Sequence, residues 1–315
     1  MRALVWDGDL RLDTHIAVPE LSSDQALLKI RRAGICNTDL ELVRGMYQFS
    51  GILGHEFVAE VVAGPAALVG KRVVGEINVA CGQCDFCQAG IPSQCRDRAT
   101  VGIRDHPGAF ADYLALAVRN LHVVPNSVVD EAAVFTEPLA AALQVLETIH
   151  VSPHDQVVVL GLGKLGMLVA QVLKLTGASV VGVVRHQKQA DLLAKWLIPA
   201  VELAAVEPEQ ASVVVDCSGT GQGFADAMRL VRSRGTIVLK STYQQAFPVD
   251  LTQVAVREIR VMGSRCGPFA AALRLLEQGL VDVEALIEAR YSLDQAREAF
   301  DKAGQPGALK VLLET

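Results

Sequence analysis

Gln156-Val157-Val158-Val159-Leu160 runs directly into Gly161-Leu162-Gly163-Lys164-Leu165-Gly166, and a helix-like stretch over 167–176 follows. No other feature limits the fold as much. In a strand, glycine loop and helix of this order, each glycine has its own use: a tight turn, close approach of backbone to a pyrophosphate, and close packing of helix on strand. Strand-like runs recur over 178–184, 211–216, 235–240 and 258–263, alternating with helical stretches such as 187–196 and 221–231. That alternation predicts an α/β fold with a doubly wound parallel sheet.

The loop predicts a dinucleotide, contacted by Gly161, Leu162, Gly163, Lys164, Leu165 and Gly166. The second strand ends in Val183-Val184-Arg185-His186, with Lys188 close by. A carboxylate at this point would bind ribose hydroxyls and repel a 2′-phosphate, whereas a guanidinium binds the phosphate. NADP is therefore favoured over NAD, with Arg185 and His186 as the candidate contacts; a solvated basic helix start that accepts both cofactors is the alternative. Asp216-Cys217-Ser218-Gly219-Thr220-Gly221 forms a loop at the carboxyl edge of the sheet, where cofactors lie. Cys217 and Ser218 are candidate contacts there, as is Arg265 in Gly263-Ser264-Arg265-Cys266-Gly267. Cys217 equally suits a small buried position, and Arg265 a surface charge.

Residues 1–75 read differently, as short apolar β-rich runs such as Ala26-Leu27-Leu28-Lys29-Ile30, separated by glycine and proline. A barrel-like β domain is expected. After it come Cys81, Cys84, Cys87 and Cys95, four of the seven cysteines within fifteen positions. Two-residue spacers let sulfurs converge from one tight loop, and four thiolates close a tetrahedral zinc site with no position left for substrate. Upstream, Gly34-Ile35-Cys36-Asn37-Thr38-Asp39 and Gly54-His55-Glu56 offer a thiolate, an imidazole and carboxylates, the usual ligand types of a catalytic zinc. Thr38 is placed to touch whatever fills the open metal position. Glu137, before Pro138 and among apolar residues, is either a functional carboxylate or a helix N-terminal acid, with Pro138 at the first helical position.

With 51% hydrophobic and 20% charged residues, the chain of 315 residues can bury a large core and fill two domains. Its net charge of -6 leaves no basic footprint for nucleic acid. No run of about 18 apolar residues is present, so no membrane association is expected and a cytoplasmic location is.

Taken in order, Gly34-Ile35-Cys36 with Thr38-Asp39, Gly54-His55-Glu56, the four-cysteine lobe, Glu137-Pro138-Leu139 and the Gly161 to Gly166 loop resemble the medium-chain dehydrogenase/reductase superfamily, in its zinc-dependent alcohol dehydrogenase branch. The resemblance spans essentially the whole chain. Glu137-Pro138-Leu139-Ala140 looks more like the polyol, threonine or sugar dehydrogenases than the ethanol-active enzymes, which have a cysteine ligand there. The family implies a GroES-like β-barrel catalytic domain over 1–136, a Rossmann domain over 137–267 and a return to the catalytic domain over 268–315.

By the same resemblance, Cys36 and His55 bind the catalytic zinc with Glu137 or Glu56 as the carboxylate ligand, and Asp39 orients His55. Thr38 hydrogen-bonds the substrate oxygen and begins the proton path, and Cys81, Cys84, Cys87 and Cys95 hold the structural zinc. Where many relatives complete the relay with a histidine, this chain has Glu41, so the relay runs through a carboxylate or through water. The implied activity is reversible hydride transfer between a small-molecule alcohol or polyol and NAD(P). A non-catalytic zinc- and NADPH-binding sensor or structural protein is the alternative. Tyr47, Phe49, His106 and Phe110 are candidates for the substrate pocket or for simple packing. The apolar edge strand Arg260-Val261-Met262-Gly263 can pair across a two-fold axis, which suggests a homo-oligomer, dimer or tetramer.

Overall fold

Along the strand Gln25–Gly34, buried Ala26, Leu28 and Ile30 alternate with exposed Lys29 and Arg31, the period-two pattern of a sheet with one face on a core. The computed structural model describes residues 1–45, 48–243 and 245–315, so Tyr47 lies outside the described residues. The chain divides into two compact units, Met1–Glu137 with Phe269–Thr315, and Pro138–Pro268.

In the first unit, Gln25–Gly34 is the hub of the main sheet. It pairs antiparallel with Glu56–Ala63, with Tyr113–Ala117 and with Lys310–Glu314. Arg72–Gly75 and Leu121–Val123 extend the sheet on one side, and Ile287–Ser292 extends it on the other, parallel to Lys310–Glu314. A smaller sheet holds Leu10–Asp13, Ala3–Trp6 and Gly51–Ile52. The strand Tyr113–Ala117 begins only after Asp112. The preceding residues are bonded elsewhere: the Ala109 and Phe110 amides donate to the carbonyls of Gly54 and Leu53 at 2.8 and 2.9 Å.

Two helices follow, Asp130–Ala133 and Thr136–Thr148. Thr136 Oγ1 donates to the Ala133 carbonyl at 2.7 Å, and Val134 and Phe135 between the helices are buried. Pro138 stands third in the second helix rather than first, still inside the turn whose amides have no intrahelical acceptor.

The second unit is a six-stranded parallel sheet among the described residues. Its spatial order is Ala200–Val201, Ser179–Val183, Gln156–Leu160, Ala211–Asp216, Val231–Leu239 and Arg260–Gly263. Chain order reverses between Gln156–Leu160 and its neighbour Ala211–Asp216, which makes a topological switch point at their carboxyl ends. The helix Lys164–Lys174 buries Met167 to Leu173 without a break, so it is covered on more than one face.

Phe110 is fully buried in the first unit and meets the Phe300 ring edge-on at 5.9 Å. It is a core residue. Phe110→Ala is expected to cost about 3–5 kcal/mol. The measurement is a lowered urea midpoint at unchanged slope; a loss below about 1 kcal/mol would contradict the packing assigned to it.

Candidate metal centres and dinucleotide site

Register carries the first site. Gly34, near the end of one strand, lies opposite Glu56, at the start of the next. Cys36 follows the first strand by two residues and His55 precedes the second by one, so antiparallel pairing brings the two motifs together. One donor atom each of Cys36, His55 and Glu56 fall within 4.8 Å of one another. A mixed sulfur, nitrogen and oxygen set of this size fits a zinc with one open position. Glu137 is outside that group.

Cys36 caps the helix Asn37–Val43, and its N–H donates to Asp39 Oδ2 at 2.8 Å. Asp39 Oδ1 is 3.2 Å from His55 Nδ1, although the contact is bent and neither buried atom has an aligned hydrogen bond. Proximity, rather than alignment, makes this a charge contact. With Nδ1 facing the carboxylate, Nε2 is the nitrogen left for a metal. Burial opposes charge on the ring, but Asp39 and then Cys36 outweigh it and raise the His55 pKa well above the ordinary imidazole value. The Cys36 thiol meets Thr38 Oγ1 at 3.7 Å. Buried Glu41 accepts from the Asn37 amide at 2.8 Å, one helical turn away.

Sequence reasoning passed over Lys310. It is 2% exposed and forms an ion pair with Glu56, itself 1% exposed. The available signal was a single lysine opening the otherwise apolar run Lys310-Val311-Leu312-Leu313.

In the cysteine lobe, Sγ separations of 3.5 Å for Cys81 and Cys95, 3.5 Å for Cys84 and Cys87, and 3.9 Å for Cys84 and Cys95 are far too long for disulfides. They match the sulfur edge of a tetrahedral zinc thiolate site, about 3.8 Å for ~2.3 Å bonds. All four sulfurs fall within 4.8 Å of one another. Backbone N–H groups of Arg96 and Cys87 pull the Cys84 thiol down to about 6, while desolvation pushes Cys87 up to about 12.

In the second unit the glycine loop has the shape of a phosphate cradle. Gly161 has φ +78, and a Cβ there would stand 2.5 Å from the backbone at Cys217 and Ser218. Nothing lies within 4 Å of a Cβ at Gly163, which caps the helix Lys164–Lys174, so that backbone is open to a pyrophosphate at the helix N-terminus. Gln189 ties the loop to the second strand's end: its Nε2 donates to Leu162 O at 2.9 Å and its Oε1 accepts from the N–H groups of Arg185 and His186. Both side chains are exposed.

Lys164 and Leu165 are half-buried, and Leu162 is buried and offers only backbone to this network. Ser218 N–H donates to buried Asp216 at 2.8 Å, and Tyr243 OH donates to its other oxygen at 2.7 Å. Burial pushes the Cys217 thiol up to about 12, so it is a poor nucleophile. Arg265 is exposed beyond the last strand. Phe49 and His106 are half-buried in the first unit. No helix among the described residues is long and apolar enough to cross a membrane.

Residues 22–126 match the alcohol dehydrogenase GroES-like domain, and residues 165–278 match the zinc-binding dehydrogenase domain. The chain belongs to the zinc-dependent medium-chain dehydrogenase/reductase family. D-arabitol-phosphate dehydrogenase of Enterococcus avium is 28% identical to this dehydrogenase over 95% of the chain and 92% of the relative. A zinc-binding dehydrogenase of Sinorhizobium meliloti 1021, solved bound to NADP, superposes with a TM-score of 0.91 at 28% identity, covering 100% of this chain and 99% of that one. A short chain alcohol dehydrogenase of Escherichia coli CFT073, complexed with NADH, gives 0.90 at 25% identity over 100% and 99%. The dehydrogenase is thus an alcohol-type oxidoreductase with a GroES-like domain and a Rossmann domain, using zinc and a nicotinamide dinucleotide. The non-catalytic sensor is not favoured.

A metal held by His55 would require the neutral imidazole. A raised folded-state pKa means that the His55–Asp39 contact stabilises the metal-free protein fully below the unfolded imidazole pKa and that this is lost as pH rises through the folded value. Zinc uptake at His55 near neutral pH would then expel the ring proton. Titration calorimetry in buffers of different ionisation heat should show fewer protons released per metal by Asp39→Asn than by the natural chain; equal release would refute the coupling.

Proposed function

We propose that this chain oxidises a secondary or primary hydroxyl of a polyol, or reduces the matching carbonyl, with Cys36, His55 and Glu56 holding the catalytic zinc. The convergence of those three donors within 4.8 Å carries the reading. When bound, zinc would supply Lewis-acid polarisation of the substrate oxygen and the nicotinamide would supply the hydride acceptor or donor. Asp39 beside Nδ1 of His55 leaves Nε2 as the nitrogen that would bind the metal. Thr38 hydrogen-bonds the substrate hydroxyl and takes its proton onto Oγ1 as it passes its own proton on. Glu41, three residues later and so on the same helical face, receives that proton in place of the histidine of many relatives. The cysteine lobe holds a second, structural zinc. A polyol is the favoured class because Glu137-Pro138-Leu139-Ala140 resembles the polyol, threonine or sugar dehydrogenases and one relative is a D-arabitol-phosphate dehydrogenase.

Turnover on a panel of polyols and ketoses, followed at the nicotinamide absorbance with either cofactor, tests this reading. Cys36→Ser should lower kcat/KM by about a thousandfold or more and remove one zinc of two, a loss of about 4 kcal/mol or more of transition-state stabilisation. Retained activity and full metal content would overturn the assignment.

We assign cofactor choice to Arg185, placed at the end of the second strand where a ribose-binding carboxylate would otherwise stand. Arg185→Asp is expected to weaken NADP binding at least about tenfold more than NAD binding, the scale of one lost charge-assisted contact. Equal losses for the two cofactors would show that Arg185 does not read the 2′-phosphate.

A further inference from the structure

A buried ammonium beside a set of metal donors is chemically out of place, because it repels the ion that those donors attract. Lys310 reaches this position from the strand Lys310–Glu314, which pairs with Gln25–Gly34 just before Cys36. The Ile35 N–H donates to the Val311 carbonyl at 2.9 Å and locks the two together. Gly34 leaves the room: a Cβ there would stand 2.7 Å from Glu56 Oε2 and 3.1 Å from Lys310 Cδ. The Nζ also lies 5.9 Å from the centre of the Phe135 ring. Burial works against the charge on Lys310, but Glu56 foremost, then Cys36 and Glu137, hold the pKa above the ordinary lysine value. One ammonium therefore sits in the field of every candidate anionic ligand of the catalytic centre.

Resting on the assignment of Cys36, His55 and Glu56 as metal donors, we propose that Lys310 is a positioning residue that shares Glu56 with the metal and keeps that carboxylate a weak ligand. A carboxylate has two oxygens and enough lone pairs to accept from Lys310 on one and to donate to an ion from the other. Charge drawn toward the ammonium is not available to the metal. The ion is then held less tightly and keeps more of its demand for a substrate oxygen. A cation fixed inside a buried site acts strongly, because little solvent screens it.

Replacement of Lys310 should move metal affinity in opposite directions according to what replaces it. Lys310→Met frees Glu56 to bind the ion fully, while the forked guanidinium of Lys310→Arg engages both carboxylate oxygens and withdraws them. Zinc affinity is read by competition with a chromophoric chelator. Coordination is read from the visible bands of protein carrying cobalt at this centre, as a difference from Cys36→Ser. Lys310→Met is expected to bind zinc about tenfold more tightly and Lys310→Arg about tenfold more weakly, within the range seen for groups that support metal ligands. Both should shift the cobalt bands, and Lys310→Met should lower kcat more than it alters KM.

In a Glu56→Gln background the Lys310→Met change should leave zinc affinity within about threefold, since no carboxylate is left to release. If Lys310→Met fails to fold, the charge-conserving Lys310→Arg still decides the matter. Unchanged affinity and bands in the Lys310 variants, or weaker zinc binding by Lys310→Met, would overturn the proposal. If Glu56→Gln itself leaves zinc content and cobalt bands untouched, the donor assignment has failed instead.

Discussion

Antiparallel pairing of Gln25–Gly34 with Glu56–Ala63 is the constraint on which the metal chemistry depends. The register places Gly34 across from Glu56, so the loops leaving the two strands must meet. A slip of one residue would turn every side chain of the second strand to the other face. Ala26, Leu28 and Ile30 of the hub strand and Phe57, Val58, Ala59 and Val61 of its partner are all buried, so a slip would displace packed side chains. Convergence of Cys36, His55 and Glu56 thus depends on the packing of apolar side chains along both strands.

A second layer of support comes from short-range groups with double duties. Asp39 closes the start of the helix Asn37–Val43 through the Cys36 amide and, with its other oxygen, faces the ring of His55. One carboxylate therefore couples helix capping to ligand orientation, and its loss would disturb both. The Glu56–Lys310 pair is of another kind. Breaking a buried ion pair by removing one partner costs about 3–5 kcal/mol in typical proteins, whereas replacing both partners with apolar groups is often neutral. Stability alone therefore gives little account of this pair.

Local features were the most legible in the sequence. The cysteine lobe is written in four residues with short spacers, and the glycine loop in one strand and one helix, so neither needs knowledge of distant chain. Cys36 and His55 were legible from residue type and order, although their meeting depends on strand register. Lys310 was not legible, because its partner lies 254 positions away and a lysine at the head of an apolar strand ordinarily reads as a solvated end. The break at Val134 and Phe135 was hidden because both residues are apolar and fit a helical pattern as well as they fit the core. The choice between Glu56 and Glu137 also stayed open, since two carboxylates of similar setting differ only in which strand or helix carries them.

The first unit is built from two stretches of chain with the whole second unit between them, and the strand Lys310–Glu314 lies between Gln25–Gly34 and Ile287–Ser292. During synthesis the residues that bear Cys36, His55 and Glu56 leave the ribosome long before their counter-charge is made. Until Lys310 arrives, Glu56 has no partner and one side of the hub strand is open. The charge balance around Glu56 is therefore completed only by the return of the chain, after the whole dinucleotide-binding unit has been made.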